Sequence, residues 1–123
     1  MNDSTTTMAQ LRDMMRDFVQ QREWQNYHTP RNLAVSAAVE AGELLELFQW
    51  DDAYPAAASN HERVQLHRQR VGEELADVLM YLMSLANAMN LDVAAAVQAK
   101  MQKNNEKYPA DKVRGYYERP VPS

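Results

Sequence analysis

Glycine is scarce in this chain, with only three among its 123 residues. Glycine supplies the positive-φ positions of tight hairpins and phosphate-binding loops, so its scarcity disfavours an all-β fold and a P-loop. Alanine, leucine, methionine, glutamine and glutamate dominate instead, and these are good helix formers. The length suits one domain, and hydrophobic residues, at 46%, suffice for a core. We therefore predict an all-α fold.

Net charge and cysteine content exclude several classes of function. The formal net charge is −4, whereas non-specific binding to nucleic-acid polymers requires a basic surface. Without cysteine the chain has no disulfide, thiolate zinc site, iron–sulfur cluster or cysteine nucleophile. No apolar run approaches the roughly 18–20 residues of a membrane span, and residues 1–10 lack the apolar segment of a signal peptide. We expect a cytoplasmic protein that binds neither nucleic-acid polymers nor membranes.

Four helices are predicted from apolar residues at helical spacing and from residues typical of helix ends. Thr29 followed by Pro30 predicts the start of the second helix, because threonine caps helices and proline fits the first helical position. Ser59 with Glu62 is a capping-box pattern that opens the third, and Asp92 is the expected N-cap of the fourth. The predicted helices run from about Thr6 to Gln25, Pro30 to Phe48, Ser59 to Met89 and Val93 to Lys107.

The segments between and after these helices are predicted to be irregular. Residues 51–60 form a loop rich in small residues, and the fourth helix ends at Tyr108 because a residue before proline avoids helical geometry. From Ala110 onward the chain has one glycine, two prolines and no helical period. Residues 110–123 are therefore predicted to be an extended or disordered tail after a domain that spans residues 1–109.

Two carboxylate pairs occur at the same spacing on the second and third helices. Glu40 and Glu43 form the first pair, and Glu74 and Asp77 form the second. At about 100° per residue, each pair lies at the same edge of its helix's apolar stripe. Side chains three residues apart have Cβ atoms roughly 5–6 Å from each other, close enough to share a cation. The two apolar stripes consist of Leu33, Ala37, Ala41, Leu44, Leu45 and Phe48, and of Val71, Leu75, Val78, Leu79, Leu82 and Leu85.

Four carboxylates against a helical core favour a divalent metal ion. Without a counter-ion, partly desolvated like charges repel one another and raise one another's pKa. A site of carboxylates and water suits Mg²⁺, with Mn²⁺ also possible. A di-iron bundle is less favoured, because it usually has Glu-x-x-His pairs and none of His28, His61 and His67 has a glutamate three residues before it. The structural alternative is a solvated acidic edge, as expected for Glu46 and Glu73.

The fourth helix carries positive charge on one face. Lys100, Asn104 and Lys107 follow i, i+4, i+7 spacing and so share that face. Beside a carboxylate-bound metal, the lysines would suit a polyphosphate. Lysines near a helix C-terminus are also favoured by the helix dipole, so the structural alternative stays open.

Aromatic side chains offer a surface for a nucleobase. Tyr81 falls beside Glu74 and Asp77 on its helical wheel, while Trp24 and Trp50 lie at the ends of the first two helices. Each aromatic taken alone fits a core or boundary position equally well. Together with a phosphate site they could stack on a base, with His28 near the start of the second helix.

These motifs together resemble the all-α nucleoside triphosphate pyrophosphohydrolases, the MazG-like family, and within it the dCTP pyrophosphatase branch. The resemblance extends from about Leu11 to Pro109. The stretches that carry it are Arg22–Trp24, His28–Leu33, Glu40–Leu44, Phe48–Trp50, Glu74–Tyr81 and Lys100–Pro109. At Met15 the chain departs from dCTP-specific relatives, which can carry a polar base-contacting residue there.

The resemblance implies a fold, an activity and a set of site residues. It implies a MazG-like four-helix bundle assembled into a homodimer or homotetramer. It implies hydrolysis of a nucleoside triphosphate, with dCTP or a modified dCTP expected, to the monophosphate and pyrophosphate for clearance of the nucleotide pool. The implied metal ligands and catalytic residues are Glu40, Glu43, Glu74 and Asp77. The implied nucleotide-binding residues are Trp24, His28, Trp50 and Tyr81 for base and sugar, and Lys100, Asn104, Lys107 and Tyr108 for the phosphates and their surroundings.

Two other interpretations of the sequence remain open. One is a helical module that binds a nucleotide or a divalent metal without catalysis. The other is a structural bundle whose acidic edge is merely solvated. Only the enzyme interpretation requires the acidic residues, the lysine face and the aromatics all at once.

Overall fold

The computed structural model describes residues 1–50 and 61–115, and their side chains except those of residues 61–64. The described residues contain no strand, which confirms the all-α prediction. The described helices are α1 (Met8–Gln21), α2 (Pro30–Glu46), α3 (His61–Met89), α4 (Val93–Lys107) and α5 (Ala110–Val113), and a 3₁₀ turn lies at Gln25–Tyr27. The predicted loop at 51–60 and the Ser59–Glu62 capping box lie outside the described residues.

Helix α1 ends earlier than predicted. The helix is predicted to run to about Gln25, but it ends at Gln21, and Glu23 adopts a left-handed conformation with φ of 53°. The Glu23 amide donates to the Gln20 carbonyl and the Trp24 amide donates to the Val19 carbonyl, both at 3.1 Å. These two bonds are those of a Schellman motif, which usually has glycine at the left-handed position.

This chain reversal fixes the position of Trp24. Its ring meets Phe18 edge-on with centroids 5.8 Å apart, while the Arg22 guanidinium lies 3.6 Å from the centroid of the same phenyl ring. An apolar contact across the reversal commonly accompanies a Schellman motif. Trp24 is therefore held by local contacts at the end of α1.

Local signals at the start of α2 and α4 act as predicted. The Thr29 hydroxyl accepts a bond from the Asn32 amide at 3.2 Å, and Pro30 is the first residue of α2. The Asp92 carboxylate accepts a bond from the Ala95 amide at 2.8 Å and so caps α4. Helix α2 ends at Glu46, two residues before the predicted Phe48, because a tighter turn with i→i+3 bonds follows it.

The start of the predicted tail is helical. An extended or disordered conformation was predicted from Ala110, but Ala110–Val113 forms α5. The Pro109 carbonyl accepts bonds from the amides of Lys112 and Val113 at 2.9 and 3.1 Å. Asp111 in the first turn and Lys112 in the last turn complement the helix dipole. The segment has no apolar period, so the sequence pattern did not indicate this short helix. Residues 116–123 lie outside the described residues.

The chain forms two compact units, Met1–Asn90 and Leu91–Ser123. In the first unit α3 packs against both α1 and α2. The described core is small and consists of Val19, Leu33, Ala37, Met83 and Ala86. No single helix among the described residues is long and apolar enough to cross a membrane. Helices α3 and α4 reach that length and composition only when they are taken together, and the pair is interrupted at residues 90–92.

Much of each predicted apolar stripe is exposed. Leu33 and Ala37 on α2 are buried as predicted, but Leu45 is 71% exposed. On α3, Leu75, Leu79 and Leu82 are likewise exposed. The first unit buries only the part of each stripe that meets a neighbouring helix, and the remainder is exposed.

Candidate functional site

Three of the four predicted acidic residues meet between α2 and α3. Glu40, Glu74 and Asp77 each offer one carboxylate oxygen, and these three oxygens lie within 4.8 Å of one another. All three residues are half-buried, whereas Glu43, one turn further along α2, is exposed. We call Glu40, Glu74 and Asp77 the acidic cluster. Both helices contribute to it because each carries its carboxylate pair at the edge of its apolar stripe, and α2 packs against α3.

Crowding of negative charge alters the proton affinity of this cluster. A hydrogen bond to Glu43, loss of hydration and the charges of Glu43, Asp77 and Glu74 together raise the pKa of Glu40 from 4.5 to about 7. Burial, followed by the charges of Glu43 and Asp77, raises the pKa of Glu74, while Arg70 opposes that shift. Glu43 is thus electrostatically part of the site although it lies outside the acidic cluster.

Two oxygens of the cluster have no hydrogen bond to any described residue. Glu40 Oε2 and Glu74 Oε2 are enclosed by protein, and neither has a hydrogen-bond partner among the described residues. An enclosed carboxylate oxygen without a partner is unfavourable, because it has lost water and gained nothing. A donor set made only of carboxylate oxygens fits a hard divalent cation, so the residues present fit a metal site.

A pocket of about 210 Å³ adjoins the acidic cluster on the side of Glu40 and Asp77. Three of the residues predicted to bind a base, Trp24, His28 and Tyr81, line it. The other lining residues are Met15, Phe18, Met80 and Ser84. We call this space the aromatic pocket; it places flat apolar surfaces beside carboxylates, as binding of a nucleobase next to a metal would require.

Trp50 lies elsewhere. It lines a second pocket of about 310 Å³, together with Glu43, Glu46, Arg70 and Glu74, and it is 90% exposed. We call this space the charged pocket. Trp50 was predicted to bind base and sugar together with Trp24, His28 and Tyr81, but of these four residues only the latter three line the aromatic pocket.

A third pocket of about 220 Å³ lies alongside the aromatic pocket, lined mainly by α1 and α3. It shares Met15, His28 and Ser84 with the aromatic pocket. Its other lining residues include Asn87, whose side chain bonds to Arg12. We call it the inner pocket.

Comparison with known proteins identifies the family. The sequence profile of the MazG-like family matches residues 35–118, about two thirds of the chain. The chain belongs to the MazG-like family. Both carboxylate pairs lie within the matched MazG-like segment, whereas Trp24 and His28 precede it.

Individual relatives of this MazG-like chain are named pyrophosphatases. It is 40% identical to dCTP pyrophosphatase 1 of Homo sapiens over 111 residues, and 39% identical to that of Bos taurus over 115 residues. These matches include 88% and 91% of this chain but only 62% and 65% of the respective relatives, so the chain spans less than two thirds of their length. A crystal structure of a pyrophosphatase from Archaeoglobus fulgidus matches with 40% identity and a TM-score of 0.74, covering 89% of this chain and 98% of the other.

The second unit of the MazG-like chain carries the predicted phosphate-binding residues. Lys100 and Lys107 on α4 are exposed, and Asn104 and Tyr108 are half-buried. The Lys107 ammonium lies 5.6 Å from the centroid of the Tyr108 ring, and the Tyr108 amide donates to the Asn104 carbonyl at 2.8 Å. These contacts hold the C-terminal end of α4 together, and a role of the four residues in nucleotide binding stays a prediction.

Sequence reasoning missed several residues that line the pockets. Phe18, Met80 and Ser84 line the aromatic pocket, and Arg70 lines the charged pocket. Spacing could have indicated two of them, because Ser84 follows Tyr81 by three residues and Arg70 precedes Glu74 by four. Phe18 was not predicted as a site residue, and its place beside Trp24 depends on the early end of α1.

Proposed function

We propose that this chain is a metal-dependent nucleoside triphosphate pyrophosphohydrolase that acts on dCTP or a modified dCTP. The observation that carries the proposal is the acidic cluster, with two enclosed unpartnered oxygens, directly beside the aromatic pocket. The names of the relatives agree with it, since two are dCTP pyrophosphatases and the solved structure is that of a pyrophosphatase.

The metal would be held by Glu40, Glu74 and Asp77, with Glu43 close by. Mg²⁺ is the proposed ion and Mn²⁺ the alternative, since both prefer oxygen ligands. A divalent ion at such a site would neutralise part of the triphosphate's negative charge and would lower the pKa of water. The unpartnered oxygens Glu40 Oε2 and Glu74 Oε2 are the donors that gain most from it.

The reaction cleaves the bond between the α-phosphorus and the oxygen that bridges to the β-phosphorus. Water supplies the new oxygen on the α-phosphorus, and pyrophosphate leaves with the bridging oxygen. Glu43 and Glu46 both line the charged pocket and are the candidates to orient this water and accept its proton. Their side chains are exposed, so either can exchange that proton with solvent.

The nucleotide would contact the aromatic pocket and the charged pocket. Trp24, His28 and Tyr81 would bind base and sugar in the aromatic pocket, where planar rings favour stacking. Trp50 would cover the charged pocket. Lys100, Asn104, Lys107 and Tyr108 are proposed to bind the phosphates and their surroundings, a role that rests on the family resemblance.

We also propose that the protein works as a homodimer or homotetramer. The exposed stripe residues Leu45, Leu75, Leu79 and Leu82 support this proposal, because a second copy would remove them from water. Burying apolar surface contributes roughly 25 cal/mol per Å². The small described core of the first unit makes such a contribution important.

Pyrophosphate release tests the activity. Each dNTP is incubated with the protein and Mg²⁺, with Mn²⁺, or with EDTA, and we expect release from dCTP that EDTA abolishes. Glu40→Gln should lower this release at least ~100-fold, because removing a metal ligand removes an essential interaction. Glu73→Gln is the matched control, since Glu73 is an exposed glutamate on α3 outside the acidic cluster. Release from no nucleotide would favour the non-catalytic binding module.

A further inference from the structure

Ser84 on α3 carries a buried hydroxyl that nothing in the described structure uses. The residue is only 5% exposed, and its Oγ has no hydrogen-bond partner among the described residues. A buried hydroxyl without a partner has lost its hydration uncompensated, so it destabilises the folded chain. Such a group in a pocket wall points to a ligand that would complete its hydrogen bonding.

The position of Ser84 indicates which ligand. It lines both the aromatic pocket and the inner pocket, together with Met15 and His28. On α3 it follows Tyr81 by three residues and Asp77 by seven, so all three share one face of the helix. A group bound beside Asp77 and Tyr81 would therefore meet the Ser84 hydroxyl one turn further along.

The polar residue one turn beyond Ser84 is already engaged. Asn87 lies one turn beyond Ser84, but its Oδ1 accepts from Arg12 Nε at 3.1 Å and its Nδ2 donates to the Arg12 carbonyl at 2.8 Å. Met15, Phe18 and Met80 present apolar surface to the aromatic pocket. Ser84 is thus the enclosed, unpartnered hydroxyl of this wall, able both to donate and to accept.

We propose that Ser84 hydrogen-bonds the edge of the nucleobase held in the aromatic pocket and so helps to determine which base is accepted. This inference deepens the proposed function and rests on it for the identity of the ligand class. The ring stacks on aromatic side chains, which accept any base, whereas the hydroxyl reads a polar group on the base edge. A base that offers an amino or carbonyl group there satisfies Ser84, and one that offers a methyl group leaves it unpaired.

Comparison of Ser84→Ala with the wild type shows whether the Ser84 hydroxyl binds a ligand or only supports the fold. Removal of an unsatisfied buried hydroxyl should leave the melting temperature of the ligand-free protein unchanged or raise it. Binding of dCMP should weaken ~3–10-fold, as loss of one hydrogen bond predicts. Binding of 2-deoxyribose 5-phosphate, which lacks the base, should not change. Ser36→Ala is the matched control, because Ser36 is a half-buried serine on α2 outside all three pockets.

Isothermal titration calorimetry with dCMP and with 2-deoxyribose 5-phosphate measures these affinities. A second variant, Ser84→Thr, should retain most of the dCMP affinity because it keeps the hydroxyl. Equal dCMP affinity in wild type and Ser84→Ala would overturn the proposal, as would a lowered melting temperature with both affinities unchanged. Equal weakening of both ligands would assign Ser84 to the sugar phosphate and also overturn it. No dCMP binding by the wild type overturns it as well. If pyrophosphate release fails for every nucleotide while dCMP binding depends on Ser84, the proposed function fails and this inference stands.

Discussion

Arg12 and Asn87 are joined by two reciprocal hydrogen bonds across the contact between α1 and α3. Arg12 Nε donates to Asn87 Oδ1 at 3.1 Å, and Asn87 Nδ2 returns a bond to the Arg12 carbonyl at 2.8 Å. The Arg12 guanidinium also reaches the Ala86 carbonyl at 3.4 Å. Both side chains are half-buried, so the pair fixes the register of α1 against α3 and with it the walls of the inner pocket.

Asn87→Ala should lower the free energy of unfolding by about 1–3 kcal/mol. The substitution removes the second bond to the Arg12 carbonyl and leaves Arg12 Nε without its acceptor in a half-buried place. An unpaired donor there costs more free energy than the net value of one hydrogen bond. Urea denaturation measures the change. Asn105→Ala, at an exposed position on α4, is the control and should have almost no effect. An equal loss in both variants would contradict a special role for the Arg12–Asn87 pair.

The stability of the metal-free protein should fall as the pH rises from about 5 to 8. The folded-state pKa of Glu40 is raised from 4.5 to about 7, so the folded chain holds a proton that the unfolded chain releases. The stabilising contribution is complete below pH 4.5 and is lost as the pH rises through about 7. Thermal melts in EDTA measure this slope, and Glu40→Gln should reduce it. An unchanged slope in that variant would exclude Glu40 as its source.

Addition of Mg²⁺ should reverse this trend. A metal binds the deprotonated carboxylates, so its apparent affinity rises with pH through the pKa of Glu40. Binding to the folded state alone raises the melting temperature by mass action. The increase should therefore be larger at pH 8 than at pH 5.5, and absent in Asp77→Asn. A metal-induced increase that does not depend on pH would contradict binding at the acidic cluster.

Glu23→Gly should stabilise the protein by about 0.5–1 kcal/mol. Glu23 has a φ of 53°, a conformation that costs a residue with a side chain roughly 1–2 kcal/mol and glycine almost nothing. The greater freedom of glycine in the unfolded chain offsets part of that gain. Glu23→Ala removes the same carboxylate but keeps the strain, so it should show no such gain. Urea midpoints of the two variants provide the comparison.

Leu79→Lys should weaken self-association. Leu79 is 36% exposed on the uncovered part of the α3 stripe, and a charge there would be costly to bury against a second copy. Size-exclusion chromatography with light scattering should show a dimer or tetramer for the wild type and a smaller species for the variant. Leu66→Lys is the control on the same helix, at a position 59% exposed and outside the predicted stripe. A monomeric wild type at tens of micromolar would refute the proposed assembly.

The features that sequence predicts well in this chain depend on neighbouring residues. Thr29 and Asp92 cap their helices because a short polar side chain before a helical run has an amide donor within reach. Glu40 and Glu74 meet because identical i, i+3 spacing sets both pairs at the edge of a packed stripe. The two caps require no knowledge of the rest of the fold, whereas the meeting of Glu40 and Glu74 also requires that α2 packs against α3.

The features that sequence missed depend on tertiary structure. The reversal at Glu23 lacks the glycine that normally indicates one, and it decides that Trp24 reaches the aromatic pocket. Trp50 follows a different turn and lines the charged pocket instead. The unpartnered state of Ser84 is equally hidden, because a helical serine has several possible partners until its surroundings are known.

The acidic cluster draws its oxygens from two helices, Glu40 from α2 and the other two residues from α3. An ion held there acts as a removable cross-link, and local opening of either helix would break it. Amide hydrogen exchange in both helices should therefore slow in concert when metal is added. If the proposed metal binds there, the supply of free divalent metal would also determine how long the folded chain resists proteolysis.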